Sequence, residues 1–220
     1  MKIVAISASP RGVQSLTLRL VRAVARGAAE AGAEVETVDI CKLNIRYCTA
    51  CGVCHAKGIC VHHDDFADLY RRILTADGLI MGSPNYLRSI TGQLKILLDR
   101  MSSAIHCQLL SSKYVCAVGT AGGPGYTEVT DYLTSLLVSF GAYSVGSVGA
   151  AVMSPDALAA VEADAVALGR TLVEAIRSQR VYPEQVAVHT ERRAFFRGLV
   201  QHHPEEWAYE CTFWQEQGEA

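Results

Sequence analysis

No apolar stretch in this 220-residue chain approaches the ~20 residues needed to cross a bilayer. The first residues run directly into Lys2-Ile3-Val4-Ala5-Ile6 without a charged leader and cleavage site, so a cytoplasmic location and no membrane partner are expected. Basic residues form no run: 20 Lys and Arg face 22 Asp and Glu, for a net charge of -2. That balance predicts no nucleic-acid groove and no anionic membrane patch. Neither G-x-G-x-x-G nor G-x-x-x-x-G-K-[ST] occurs, which argues against dinucleotide or triphosphate binding through those loops. Internal repeats and low-complexity segments are also missing, which leaves one α/β domain as the default.

Cysteine, in contrast, is plentiful. Four of the eight fall at Cys48, Cys51, Cys54 and Cys60, a C-x-x-C-x-x-C-x5-C run inside a cysteine-rich loop at residues 41–63. A reducing cytosol makes a disulfide framework a poor explanation for thiols this close, and metal ligation or redox chemistry a better one. Four readings stay open here: a [4Fe-4S] cluster, structural zinc, a redox dithiol at Cys51 and Cys54, and idle thiols. Three cysteines in immediate succession favour the cluster over zinc, whose sites usually pair two separated knuckles. Cys41, Cys107, Cys116 and Cys211 read as buried or idle thiols. His55, His62 and His63 are expected at the surface or as caps, and Asp64 and Asp65 as helix N-cap and first-turn acids.

Apolar runs at residues 2–6, 34–40, 78–82, 114–118 and 143–152 predict five strands separated by helices. The first helix carries Leu18, Val21, Ala25 and Ala28 on one face, and the third carries Leu94, Leu97, Leu98 and Met101. Ser154 followed by Pro155 predicts the cap and first position of a long last helix. Alternating strands and helices give a three-layer sandwich around a parallel sheet. After residue 180 the texture turns charged and aromatic, with Phe195, Phe196, Trp207, Tyr209, Phe213 and Trp214. Residues 1–180 are thus expected to form the domain, and 181–220 an extension that packs on it or on another subunit.

In an open parallel sheet, ligands sit beyond the carboxyl ends of the strands. Three loops of unusual composition follow strands one, three and four. The first places Ser9, Arg11, Ser15 and Thr17 before a helix N-terminus, suited to a phosphate or to a plain capped turn. The second, with Pro84 and Tyr86, can lie along a planar heterocycle. The third, residues 119–126, is glycine-rich and lets backbone approach a ligand closely. Together they describe a mononucleotide pocket of the kind FMN requires.

Ser9-Pro10-Arg11 with Ser15 and Thr17, then Gly82-Ser83-Pro84-Asn85-Tyr86, then Gly92-Gln93-Leu94-Lys95 ending in Asp99-Arg100, resemble the NAD(P)H-dependent FMN reductases of the flavodoxin-like superfamily. The cysteine segment is similar to the iron-sulfur flavoprotein branch. The resemblance implies a flavodoxin-like doubly wound five-stranded sheet of order 2-1-3-4-5, with helices on both faces and an aromatic C-terminal tail. It implies that Ser9, Arg11, Ser15 and Thr17 hold the FMN phosphate. Pro84, Asn85, Tyr86, Leu87 and Arg88 would line the isoalloxazine, and Thr120, Gly122 and Gly123 would close the third side. Cys48, Cys51, Cys54 and Cys60 would ligate a [4Fe-4S] cluster. Leu16 stands where many members carry Asn, and Tyr47 and Ala50 stand where Pro and Gly are usual.

The expected activity is FMN-dependent oxidoreduction, with electrons passing between FMN and the cluster and NADH or NADPH as donor. The implied assembly is a homo-oligomer, dimer or tetramer, with a ferredoxin-like partner. A metal-free FMN or quinone reductase and a flavodoxin-like electron carrier are the alternatives. No side chain is expected to act as catalytic acid, base or nucleophile, because the cofactors carry the chemistry.

Overall fold

A computed structural model describes residues 1–218. Strands β1 (Lys2–Ser7), β2 (Glu34–Asp39), β3 (Gly78–Pro84), β4 (Tyr114–Ala121) and β5 (Tyr143–Ala151) form one parallel sheet ordered β2-β1-β3-β4-β5, the flavodoxin-like order expected. β3 and β4 run past the apolar residues that announce them, because Ser83 pairs with Gly119 and Pro84 with Thr120. That extra pairing carries the loop residues onto the rigid sheet edge.

The helices are α1 (Leu16–Glu30), α2 (Val53–Lys57), α3 (Phe66–Thr75), α4 (Gly92–Asp99), α5 (Ser102–His106), α6 (Tyr126–Ser139), α7 (Ala159–Ser178), α8 (Pro183–Gln201) and α9 (Ala208–Glu216). None among the described residues is long and apolar enough to cross a membrane. Strand side chains alternate between two cores. Val4, Ile6, Leu79, Met81, Val115 and Ala117 pack with Leu69, Leu94 and Leu133 of α3, α4 and α6. On the other face Ile3, Ala5, Ile80 and Val118 pack with Leu20, Val24, Ala165 and Leu172 of α1 and α7. A Cβ on Gly27 would sit 2.0 Å from Val166 O, and one on Gly169 equally close to Val24 O, so both glycines are what permit α1 and α7 to touch.

The capping expectations fare differently. Ser15 caps α1 by accepting from Leu18 N at 3.0 Å. Ser154 forms no side-chain cap bond. A short 3-10 turn at Pro155–Ala157 intervenes, and α7 starts only at Ala159. The aromatic segment folds as α8 and α9, which bury Phe196, Val200, Glu210 and Trp214 within the same chain. α9 lies against α2 of the cysteine loop, and a Cβ on Gly58 would meet the Tyr209 ring at 2.6 Å.

Candidate functional site

Two cavities are built from the loops. The first, of about 320 Å³, opens at the carboxyl ends of β1, β3 and β4 and lies within the range typical of small-molecule sites. Eight of the twelve candidate cofactor residues line it: Ser9, Arg11, Thr17, Pro84, Asn85, Tyr86, Thr120 and Gly122. Leu16, Ala121 and Val152 also line it, and their apolar side chains give no chemical signal in the sequence. Leu16 and Thr17 open α1, so the cavity meets the positive end of a fifteen-residue helix, where an anion is favoured.

The loops are locked to one another. Thr17 Oγ1 and Thr120 Oγ1 are 2.6 Å apart, Thr91 Oγ1 donates to Ala8 O at 2.8 Å, and Asn85 N donates to Thr120 O at 2.7 Å. Asn85 Nδ2 also reaches Gly125 O at 2.5 Å, joining the loops after β3 and β4. These bonds hold the pocket in shape before any ligand arrives, which lowers the ordering cost of binding.

Four candidates stand elsewhere. The Ser15 hydroxyl is buried as the α1 cap. Gly123 lies outside the lining. Leu87 and Arg88 occupy a tight hairpin turn at φ 50° and 66°, closed by Tyr86 N to Ser89 O at 2.8 Å. Leu87 is completely exposed. Arg88 pairs with Glu128 Oε1 at 2.8 Å, which with Asn85 holds that carboxyl below its usual range. Two non-glycine residues in left-handed backbone are a local cost of the kind that persists at functional loops.

The second cavity, of about 350 Å³, is lined by all four clustered cysteines, Cys48, Cys51, Cys54 and Cys60, with His55, Arg100 and Trp207. Gly52 and Gly58 take left-handed φ of 73° and 71° at the two ends of α2 and turn the loop back on itself. Ala50 adopts φ 53°, which explains why a glycine is usual there. Cys48 Sγ accepts from Ala50 N at 3.4 Å and Cys60 Sγ from Arg100 Nη2 at 3.1 Å, the donors a thiolate site uses. A zinc tetrahedron would draw sulfurs to about 3.8 Å of one another. Among the described residues, the metal-ligating atoms gathered as a group within 4.8 Å are those of His55, His106 and Glu210, and none of the four thiols belongs to that group.

Cys107 and Cys116 are buried thiols, pushed up to about 12 mainly by desolvation, as inert cysteines should be. Asp64 and Asp65 both serve the loop, though not as simple caps. Asp64 accepts from Phe66 N at 3.1 Å and Arg46 N at 2.9 Å and pairs with Arg100, while Asp65 Oδ2 accepts from Asn44 N at 2.7 Å. His55 is neither a surface residue nor a cap. Its Nδ1 lies 2.6 Å from Glu210 Oε1, and bonds to Cys54 and Glu210 raise it to about 10. The sequence hid this because Glu210 is 155 residues away.

Residues 1–155 match the NADPH-dependent FMN reductase family. The chain belongs to that family. Within it, the chain is 32% identical over 221 residues to an iron-sulfur flavoprotein of Archaeoglobus fulgidus, covering 99% of both chains, which places it in the iron-sulfur flavoprotein branch. Among solved structures, a flavone reductase superposes with a TM-score of 0.65 at 21% identity, over 80% of this chain and 63% of that one. The apo form of the NADH:FMN oxidoreductase EMOB superposes at 0.58 with 26% identity, over 77% and 88%. This FMN reductase family member is an FMN-dependent oxidoreductase, and its first cavity lies at the carboxyl edge of the sheet, where open parallel sheets place ligands.

Proposed function

We propose that this protein passes electrons between FMN, held at the carboxyl edge of the sheet, and a [4Fe-4S] cluster ligated by Cys48, Cys51, Cys54 and Cys60. The convergence of all four thiols on one cavity carries this reading. Ser9, Arg11 and Thr17 hold the phosphate at the start of α1. Pro84, Asn85 and Tyr86 flank the ring, and Thr120 and Gly122 close the far side. A flavin accepts a hydride pair and releases single electrons, whereas a cluster accepts one at a time, so the pair converts two-electron into one-electron transfer. NADH or NADPH is the donor and a ferredoxin-like protein the partner.

Residues 1–180 form the catalytic unit, and 181–220 an extension that braces the cysteine loop. A homo-oligomer is the working assembly; the fully exposed Leu87, on the hairpin beside the flavin pocket, supports a second copy covering that face. Eight free cysteines suit a reducing, cytoplasmic setting.

The test is anaerobic purification with FMN, iron and sulfide analysis. Near-stoichiometric FMN with four irons per chain is expected from a [4Fe-4S] cluster. Cys54→Ser should abolish the iron and retain the flavin. FMN without iron in the wild-type protein would leave a metal-free reductase, and rapid oxidation of NADPH would distinguish either from a pure carrier.

A further inference from the structure

His55 on α2, His106 at the end of α5 and Glu210 on α9 come from three distant parts of the chain and meet beneath the cysteine loop. We propose that these three side chains form a mononuclear site for a divalent transition-metal ion of the zinc class, separate from the four cysteines. His55 Nδ1 lies 2.6 Å from Glu210 Oε1 and His106 Nδ1 lies 2.9 Å from Glu210 Oε2. All three donor atoms fall within 4.8 Å of one another. In a tetrahedral site with bonds of about 2.0–2.1 Å, ligand atoms stand about 3.4 Å apart, so small side-chain shifts, outward for the two hydrogen-bonded pairs and inward for the wider separations, form the set. Two imidazoles and one carboxylate are the protein ligands of open zinc and non-haem iron sites.

Charge and packing support the assignment. The Glu210 side chain is wholly buried, and those of His55 and His106 are 15% and 13% exposed. A buried carboxylate needs partners on its oxygens, and Glu210 meets one ring nitrogen on each of them. A divalent ion supplies the counter-charge and uses both ring nitrogens at once. Each Nδ1 then presents a lone pair in place of an N-H, its proton moving to Nε2 or to solvent. The Trp207 ring packs at 5.0 Å from His55 and 4.9 Å from His106, and Phe196 stacks on His106 at 5.3 Å, so aromatic rings hold the ligand rings in place. His55 and Trp207 also line the cysteine cavity, which leaves water a route to the remaining coordination position.

The site rests on these three residues and stands whether or not the cysteines hold a cluster. The full chain, as purified with its cofactors, is titrated with zinc ion and studied by metal analysis and zinc-edge X-ray absorption, to which flavin and iron are silent. One zinc per chain is expected, with nitrogen and oxygen scatterers at about 2.0–2.1 Å and none at the sulfur distance of about 2.3 Å. His106→Ala should weaken zinc binding by more than the tenfold to hundredfold typical of changes outside the ligand sphere. Retained FMN in that variant reports that it is folded; should it not fold, the wild-type absorption spectrum decides. No zinc above background, sulfur scatterers in place of nitrogen, or unchanged affinity in a folded His106→Ala would each overturn the proposal. Iron measured in the same samples tests the cluster independently.

Discussion

Arg100 Nη1 lies 2.6 Å from Asp64 Oδ2, with both side chains only 1% exposed, and its Nη2 donates to Cys60 Sγ. The same guanidinium stacks over the Phe66 ring at 4.2 Å and donates to Arg46 O. One side chain on the sheet side of the loop thus fixes its entry at Arg46, its exit at Asp64 and its last cysteine.

Removing that cation strands a buried carboxylate. Arg100→Met should destabilise the fold by about 3–5 kcal/mol, the range for breaking one member of a buried pair. Burial opposes ionisation of Asp64, but the Arg100 bond, the N-H groups of Arg46 and Phe66 and the Arg100 charge outweigh it and hold the carboxyl below its ordinary 3.8. A depressed carboxyl contributes stability that is present above 3.8 and lost as pH falls through its lower native value. Acid unfolding of the wild-type protein should therefore steepen below that pH, and the slope should flatten in Asp64→Asn.

Gly58 is pinned twice, by its φ of 71° and by the Tyr209 ring. Gly58→Ala should cost about 1–3 kcal/mol and loosen α9 from α2. Faster proteolysis at the C-terminal helix, alongside a lower melting temperature, would register it.

Ala50 gives the opposite expectation. At φ 53° an alanine bears a steric cost of about 1–2 kcal/mol that glycine avoids. Ala50→Gly should raise or preserve thermal stability and increase the iron incorporated per chain during reconstitution; reduced incorporation would show that the loop works in another conformation.

Arg11 lines the mononucleotide cavity from an exposed position, so its loss leaves the core untouched. Arg11→Ala should weaken FMN binding about tenfold to a hundredfold, as expected for a charge-assisted bond to phosphate, without changing the melting temperature of the apoprotein. Fluorescence quenching of added FMN measures it. Ser15→Ala should instead lower stability by about 1 kcal/mol through loss of the α1 cap, because its hydroxyl already accepts from Leu18 N.

Local pattern carries a large part of this protein. The five strands follow from short apolar runs bounded by turn loops, which are properties of neighbouring residues, whereas their order was implied by the family resemblance. The C-x-x-C-x-x-C-x5-C spacing and the loops at Ser9, Pro84 and Thr120 were legible for the same reason: each is a contiguous backbone segment whose residue types constrain its shape. Which loop residues line the first cavity was less legible. Ser15 reads equally as phosphate ligand or as cap, and only the packing of α1 assigns it to the cap. Leu87 and Arg88 sit on a hairpin tip that turns them out of the pocket, a consequence of two positive φ angles that their side chains do not announce.

The amino-acid order by itself determined the five strands, the carboxyl edge at which their loops build a cavity, and the four thiols that line a second one. Tertiary structure alone decided that α9 returns to the cysteine loop and that Glu210 meets His55 and His106 across 155 and 104 residues. It also decided that Arg100 spans Asp64 and Cys60. Such pairings depend on where burial drives the aromatic face of the C-terminal helices, and no local spacing encodes that destination.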